Sequence, residues 1–219
     1  MRYERSSVKL TRIDELYLDQ YFYLESEDRC WFLREYSSGE GWSFSETNDL
    51  ISNLKKGVVE DRLQIYRQRS VQFFASELAT VLGPLTSSRG FTFVPIPPSK
   101  TRAHVEYDDR LIRVLEAIPG SQEFDIRELI EQKQDLPRTH RAARRHSSQS
   151  LYHNYKINDA LREPAPKCLV IFDDLLTTGA HFKAAQRILQ ETFPAAAILG
   201  IFLARAIHQD SRASDVPNP

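Results

Sequence analysis

The stretch CLVIFDDLLTTGAH, residues 168–181, decides the fold. Lys167–Phe172 supplies an unbroken apolar run, the pattern of a strand covered on both faces in a parallel sheet. Asp173 and Asp174 follow, then a turn over Leu175–Gly179, then helical spacing from Ala180 to Leu189. The same alternation recurs on either side. Phe91–Ile96 reads as a strand stopped by Pro97-Pro98, Leu111–Ile118 as a helix ended by Pro119-Gly120, and Phe124–Ile130 and Ala197–Ala204 as further strands. Strands alternating with helices predict an α/β fold with a mostly parallel central sheet flanked by helices.

A strand of this kind delivers its last residues to the carboxyl edge of the sheet, where open α/β folds bind ligands. The helix that follows opens with unpaired N–H groups at the positive end of its dipole, a place for a phosphate. Thr177 and Thr178 add hydroxyl donors and Gly179 permits close backbone approach. Asp173 and Asp174 are acceptors suited to sugar hydroxyls; the plainer alternative is a strand–turn–helix with two solvated acids. Pro97–Arg102 is a tight turn at another strand end, with Lys100 and Arg102 as cations for an anion. Taken alone it is also a common form of surface turn. Asp108, Asp109 and Arg110 read as solvated or mutually paired helix residues.

Glu131–Gln149 is polar and basic and reads as a long loop. Its part LPRTHRAARRHSSQ, residues 136–149, carries Arg138, Arg141, Arg144, Arg145, His140 and His146 and no acid. Three readings stand: a lid that closes over an anionic ligand, a solvated basic loop, or, less favoured, a contact with nucleic acid.

Residues 1–46 are aromatic-rich, with runs at Tyr21–Leu24 and Cys30–Tyr36 and a turn at Glu40-Gly41, and predict a small antiparallel β element. A helix is expected from Thr47 as N-cap through Leu50, Ile51 and Leu54 to Gly57. A second is expected along the stripe Val59, Leu63, Tyr66, Phe73, Phe74, Leu78 and Leu82. The predicted divisions are an N-terminal element (1–46), a core (47–208) and a disordered tail (209–219).

Of the 219 residues, 41% are hydrophobic and 27% charged, with a net charge of −1; nothing in that balance calls for a nucleic-acid or membrane partner. Cys30 and Cys168 are too far apart for a metal knuckle or a disulfide framework. No stretch has the apolar core of a signal peptide or the length of a membrane span, so a cytoplasmic location is expected.

Four apolar residues, two acids, two apolar residues, Thr-Thr-Gly and a small residue resemble the phosphoribosyl pyrophosphate (PRPP) signature of type I phosphoribosyltransferases. The resemblance implies that family's fold with a variable N-terminal hood. It implies that Asp173 and Asp174 hold the ribose hydroxyls, and that Leu175, Thr177, Thr178, Gly179, Ala180 and His181 hold the 5′-phosphate. Pro98, Ser99, Lys100, Thr101 and Arg102 would form the pyrophosphate loop. Mg²⁺ is the implied cofactor, reached by Asp173 and Asp174 mostly through water or substrate. The implied catalytic groups are Asp173, Asp174, Lys100, Arg102, Arg144 and Arg145. The implied reaction is transfer of the phosphoribosyl group to a nitrogen acceptor with release of pyrophosphate. The alternative is a catalytically silent PRPP- or nucleotide-binding regulatory protein.

Ile51-x-x-Leu54-Lys55, VPIPPSKTR and the loop with His140 and Arg144-Arg145 look most like the competence-associated, ComF-like branch. The zinc ribbon common there has no counterpart in a chain with one cysteine in its first half. Tyr21, Tyr23, Trp31 and Trp42 either stack on an acceptor base or pack a small β element. His181 stands where many relatives carry Ser or Thr, and reads either as a donor to phosphate or as a solvated residue. No residue stands out as a base for the acceptor. Homodimers are frequent in the family and are expected here on that ground alone.

Overall fold

The computed structural model describes residues 8–59, 61–86, 90–137 and 146–208. The first half runs β1 (Thr11–Arg12), α1 (Glu15–Leu18), β2 (Cys30–Ser38), α2 (Glu46–Leu54), α3 (Asp61–Thr86), β3 (Phe91–Pro95) and α4 (Arg110–Glu116). The second runs β4 (Asp125–Ile126), β5 (Ile130–Gln132), α5 (Ser148–Asn154), β6 (Tyr155–Ile157), β7 (Cys168–Leu176), α6 (Ala180–Thr192) and β8 (Ala197–His208). The fold is mixed α/β, with a six-stranded central sheet ordered β1-β2-β8-β7-β3-β4 and a separate β5–β6 pair. Every central pairing is parallel except β1 with β2. The helices α2, α3 and α4 pack on one another in turn, and α5 packs on α6.

β7 is central because its sequence tolerates nothing else. Leu169, Val170, Ile171 and Phe172 are all buried, and a side chain of that kind contributes roughly 1.5–3 kcal/mol when taken fully out of water. The strand runs four residues past the predicted end at Phe172, so both acids lie inside it rather than after it.

Three other expectations are corrected. The N-terminal segment is not a separate antiparallel element. Its main strand, β2, lies in the central sheet and pairs in parallel with β8 from Cys30↔Gly200 to Ser38↔His208; only β1 is antiparallel. The run Phe124–Ile130 divides between β4, on the edge of the central sheet, and β5, which leaves it to pair with β6. The expected loop Glu131–Gln149 begins as strand and ends inside α5.

Local chemistry explains the helix ends. Ser45, rather than Thr47, caps α2: its hydroxyl accepts the Asn48 N–H at 3.1 Å. Of the predicted stripe, Phe74, Leu78 and Leu82 are buried and Leu63 and Phe73 half-buried in α3, whereas Tyr66 is exposed and Val59 lies exposed before the helix. Among the described residues no helix is long and apolar enough to cross a membrane.

Candidate functional site

From β3 the chain passes through α4 to β4 on one side, and from β7 it passes through α6 to β8 on the other. Adjacent parallel strands whose continuations diverge leave a crevice at their carboxyl ends, the usual ligand site of open α/β sheets. The loop Pro97–Arg102 leaves β3 there and the turn Thr177–Gly179 leaves β7 there.

The two acids at this edge are buried, Asp173 at 9% and Asp174 at 3% exposure, which removes the reading of two solvated carboxylates. Successive strand residues face opposite sides of a sheet, and the acids have different surroundings. Asp174 receives Lys55 Nζ at 2.9 Å and Arg110 Nε at 2.7 Å. Burial works to raise the Asp174 pKa, but these two cations overcome it and hold the carboxyl below the usual range. Asp173 accepts the backbone N–H of Asp174 at 2.8 Å. Its pKa is pushed up by burial and then by the charge of Asp174.

Arg110 is itself held by Asp108, through Nη1 at 2.6 Å. Asp108 in turn meets the buried guanidinium of Arg67, which also reaches Asp109 at 3.3 Å. Asp108, Asp109 and Arg110 are therefore paired, as their sequence suggested, but the pairing extends into the site.

The turn after β7 is shaped by its neighbours. Gly179 has φ 84°, and a Cβ there would meet Leu24 Cδ2 at 2.9 Å, so two independent constraints favour glycine. The Tyr23 N–H donates to the Thr178 carbonyl at 3.0 Å, which seats the N-terminal segment directly on the turn. The Ala180 N–H points to the Thr178 hydroxyl at 3.4 Å. Leu175, Thr177 and Thr178 are half-buried, and Ala180 is buried. His181 Nδ1 lies 2.8 Å from the hydroxyl of Tyr155, a buried residue of β6. Burial lowers the His181 pKa from 6.5 to about 4, more than the nearby charge of Asp174 raises it. The ring is therefore neutral near pH 7.

The chain matches no family model and no curated protein.

The cations predicted for the β3 loop are engaged elsewhere. Lys100 Nζ is 3.5 Å from Asp135, and Arg102 pairs with Glu128. The loop is braced against β5 and the segment after it. Gln132 Nε2 donates to the Pro98 carbonyl at 3.1 Å, the Leu136 N–H to the Ser99 carbonyl at 2.7 Å, and the Thr101 N–H to Asp135 at 2.7 Å. Because β5 pairs with β6, and β6 carries Tyr155 to His181, one small antiparallel strand pair ties the two loops together.

Arg144 and Arg145 lie outside the described residues, as do Arg138, His140 and Arg141. Of the aromatic residues, Tyr21 is buried and packs in the core, Tyr23 and Trp31 are half-buried, and Trp42 is exposed. Sequence reasoning noted Lys55 only as part of a family-like spacing, with no partner assigned, and passed over Tyr155. Lys55 follows the noticed Ile51-x-x-Leu54 spacing, but no local pattern links it to an acid 119 residues later.

Among the described residues no group of three or more His, Cys, Asp or Glu could hold a metal. Asp173 is the carboxylate with no cation within hydrogen-bonding distance among the described residues.

Proposed function

We propose that the chain binds PRPP with Mg²⁺ and transfers its phosphoribosyl group to a nitrogen acceptor, a base or an amine, releasing pyrophosphate. One observation carries the reading: the acid pair with its Thr-Thr-Gly turn and the Pro97–Arg102 loop leave adjacent parallel strands where their continuations diverge. That juxtaposition suits a sugar flanked by a phosphate on one side and a diphosphate on the other.

In the proposed reaction the acceptor nitrogen forms a bond to C1 of the ribose. The C1–O bond to pyrophosphate breaks, its electron pair leaves with the pyrophosphate, and the acceptor loses a proton. Asp173 and Asp174 orient the ribose through its hydroxyls. Thr177, Thr178 and the first N–H groups of α6 hold the 5′-phosphate. The backbone N–H groups of Ser99, Lys100 and Arg102 face the diphosphate, with Arg144 and Arg145 as candidates for the covering loop. Asp173 and Asp174 would hold Mg²⁺ mostly through water or substrate, and the ion would supply charge neutralisation for the leaving group. The protein's share is positioning and charge stabilisation rather than covalent attack.

A second reading, a silent PRPP- or nucleotide-binding protein, is favoured by one specific contact. The side chain that replaces a phosphate-facing hydroxyl, His181, is bonded to Tyr155. Calorimetry with PRPP and Mg²⁺, followed by pyrophosphate release against purines, pyrimidines and amines, separates the two. Binding with release supports the transferase, and binding without release for any acceptor leaves the silent binder. No PRPP binding defeats the transferase, and no binding of PRPP or of nucleotides defeats both.

A further inference from the structure

The ion pairs at the acid end of β7 distribute charge unevenly. Lys100 and Arg102, the cations of the β3 loop, each face an acid of their own, Asp135 and Glu128. Lys55 and Arg110 instead converge on one carboxylate, that of Asp174. Asp108 offsets part of the Arg110 charge, but Asp108 is also shared with Arg67. Lys55, Arg110 and Arg67 are thus matched by Asp174, Asp108 and Asp109, but two of the three cations are gathered on the one carboxylate that stands in the acid pair.

Both cations keep donors to spare. Lys55 ends α2 with its side chain 37% exposed, and an ammonium has three N–H donors, of which Asp174 takes one. The Arg110 side chain is 20% exposed; its Nε serves Asp174 and its Nη1 serves Asp108, while no described residue accepts from its Nη2. A carboxylate in this position fixes the direction of both side chains before any ligand arrives. Cations held in place lose little freedom when an anion binds, which favours affinity.

We infer that Lys55 and Arg110 are the cations that grip the diphosphate of the ligand, with Asp174 as the residue that positions them. The inference rests on the PRPP reading and goes beyond it. It assigns the diphosphate-binding charge to the end of α2 and the start of α4, not to the lysine and arginine of the β3 loop. The ligand class follows from the geometry: two cations spaced around one carboxylate suit an anion with several oxygens on adjacent phosphorus atoms.

The test is calorimetry of the wild-type chain and Lys55→Met with three ligands: PRPP, inorganic pyrophosphate and ribose 5-phosphate. Losing a charge-assisted donor is expected to weaken PRPP and pyrophosphate by about tenfold or more. Ribose 5-phosphate should stay within about twofold, because it has no diphosphate to lose. Lys55→Arg should recover most of the pyrophosphate affinity. Equal weakening for all three ligands would mean that Lys55 only supports Asp174, and unchanged pyrophosphate affinity would remove it from the ligand; either overturns the inference. Wild-type protein that binds no PRPP defeats the functional reading itself.

A measurement on the unaltered chain covers the case in which Lys55→Met fails to fold. Acetylation of Lys55 by an N-hydroxysuccinimide ester, followed by mass spectrometry, should slow when pyrophosphate is present. An unchanged acetylation rate at saturating pyrophosphate overturns the inference.

Discussion

The loops that follow β3 and β7 start from the same situation and end in opposite ones. Each leaves a buried parallel strand at the same edge of the sheet, and each carries the charge that its sequence advertises. The β3 loop pairs its cations away from the acid pair, with Asp135 and Glu128. The β7 acids are turned inward, and Asp174 draws its counter-charges from the end of α2 and the start of α4. Charge written into a loop therefore does not say where that charge acts. Burial decides it: an exposed cation can pair with any neighbour at little cost, whereas a carboxylate as buried as Asp174 must be met by cations that the fold brings to it.

The sharpest way to break this contrast is Asp174→Ala. It leaves Lys55 and Arg110 without their shared partner, and stability should fall by about 3 kcal/mol in urea unfolding. That is the lower end for a broken buried pair, since both cations keep some contact with water. A loss below about 1 kcal/mol would mean that the β7 pairs are as loose as surface ones.

The next effect concerns His181, whose pKa falls from 6.5 to about 4 on folding. Between those values the unfolded chain binds a proton that the folded chain refuses, so the stabilising contribution is present above 6.5 and lost as pH falls towards 4. Asp173 acts in the opposite sense. Its raised pKa means that the folded chain holds a proton longer, so its contribution declines as pH rises. His181→Asn removes the first effect alone. Between neutral pH and about pH 4.5, thermal unfolding of that variant should lose about 1–2 kcal/mol less stability than the wild type. Identical pH profiles would show that the His181 ring is not shielded.

The smallest effect belongs to the β3 loop. Arg102 has a side chain that is 56% exposed and paired with Glu128. Arg102→Ala should therefore change unfolding stability by less than about 1 kcal/mol. A larger loss would erase the distinction between the two loops.

Much of this was legible beforehand, and the reasons are local. The apolar run to Phe172 announced a buried strand, and Pro97-Pro98 and Pro119-Gly120 marked the ends of neighbouring elements, whereas Gly83-Pro84, a pair that reads as a helix end, lies inside α3. The order of acids, threonines and glycine at residues 173–179 marked the candidate site because each occupies one continuous strand and turn. Cys30–Ser38 could not be placed the same way. Its aromatic and apolar residues showed that it was a strand, but a pairing with β8 across some 170 residues leaves no trace in either segment alone. Phe124–Ile130 failed for a related reason: apolar content does not show that Asp125–Ile126 and Ile130–Gln132 pair with different partners.

By itself, then, the sequence determined which strand would be buried, which residues would stand at its carboxyl end, and where a glycine was required to turn the chain. These follow from side-chain periodicity and backbone sterics within a dozen residues. The tertiary structure alone decided that Lys55 and Arg110 meet Asp174, that Tyr155 meets His181, and that Leu24 closes on Gly179. Those contacts depend on how separate elements pack, and in a dense interior a charge or a ring finds its partner through space rather than along the chain.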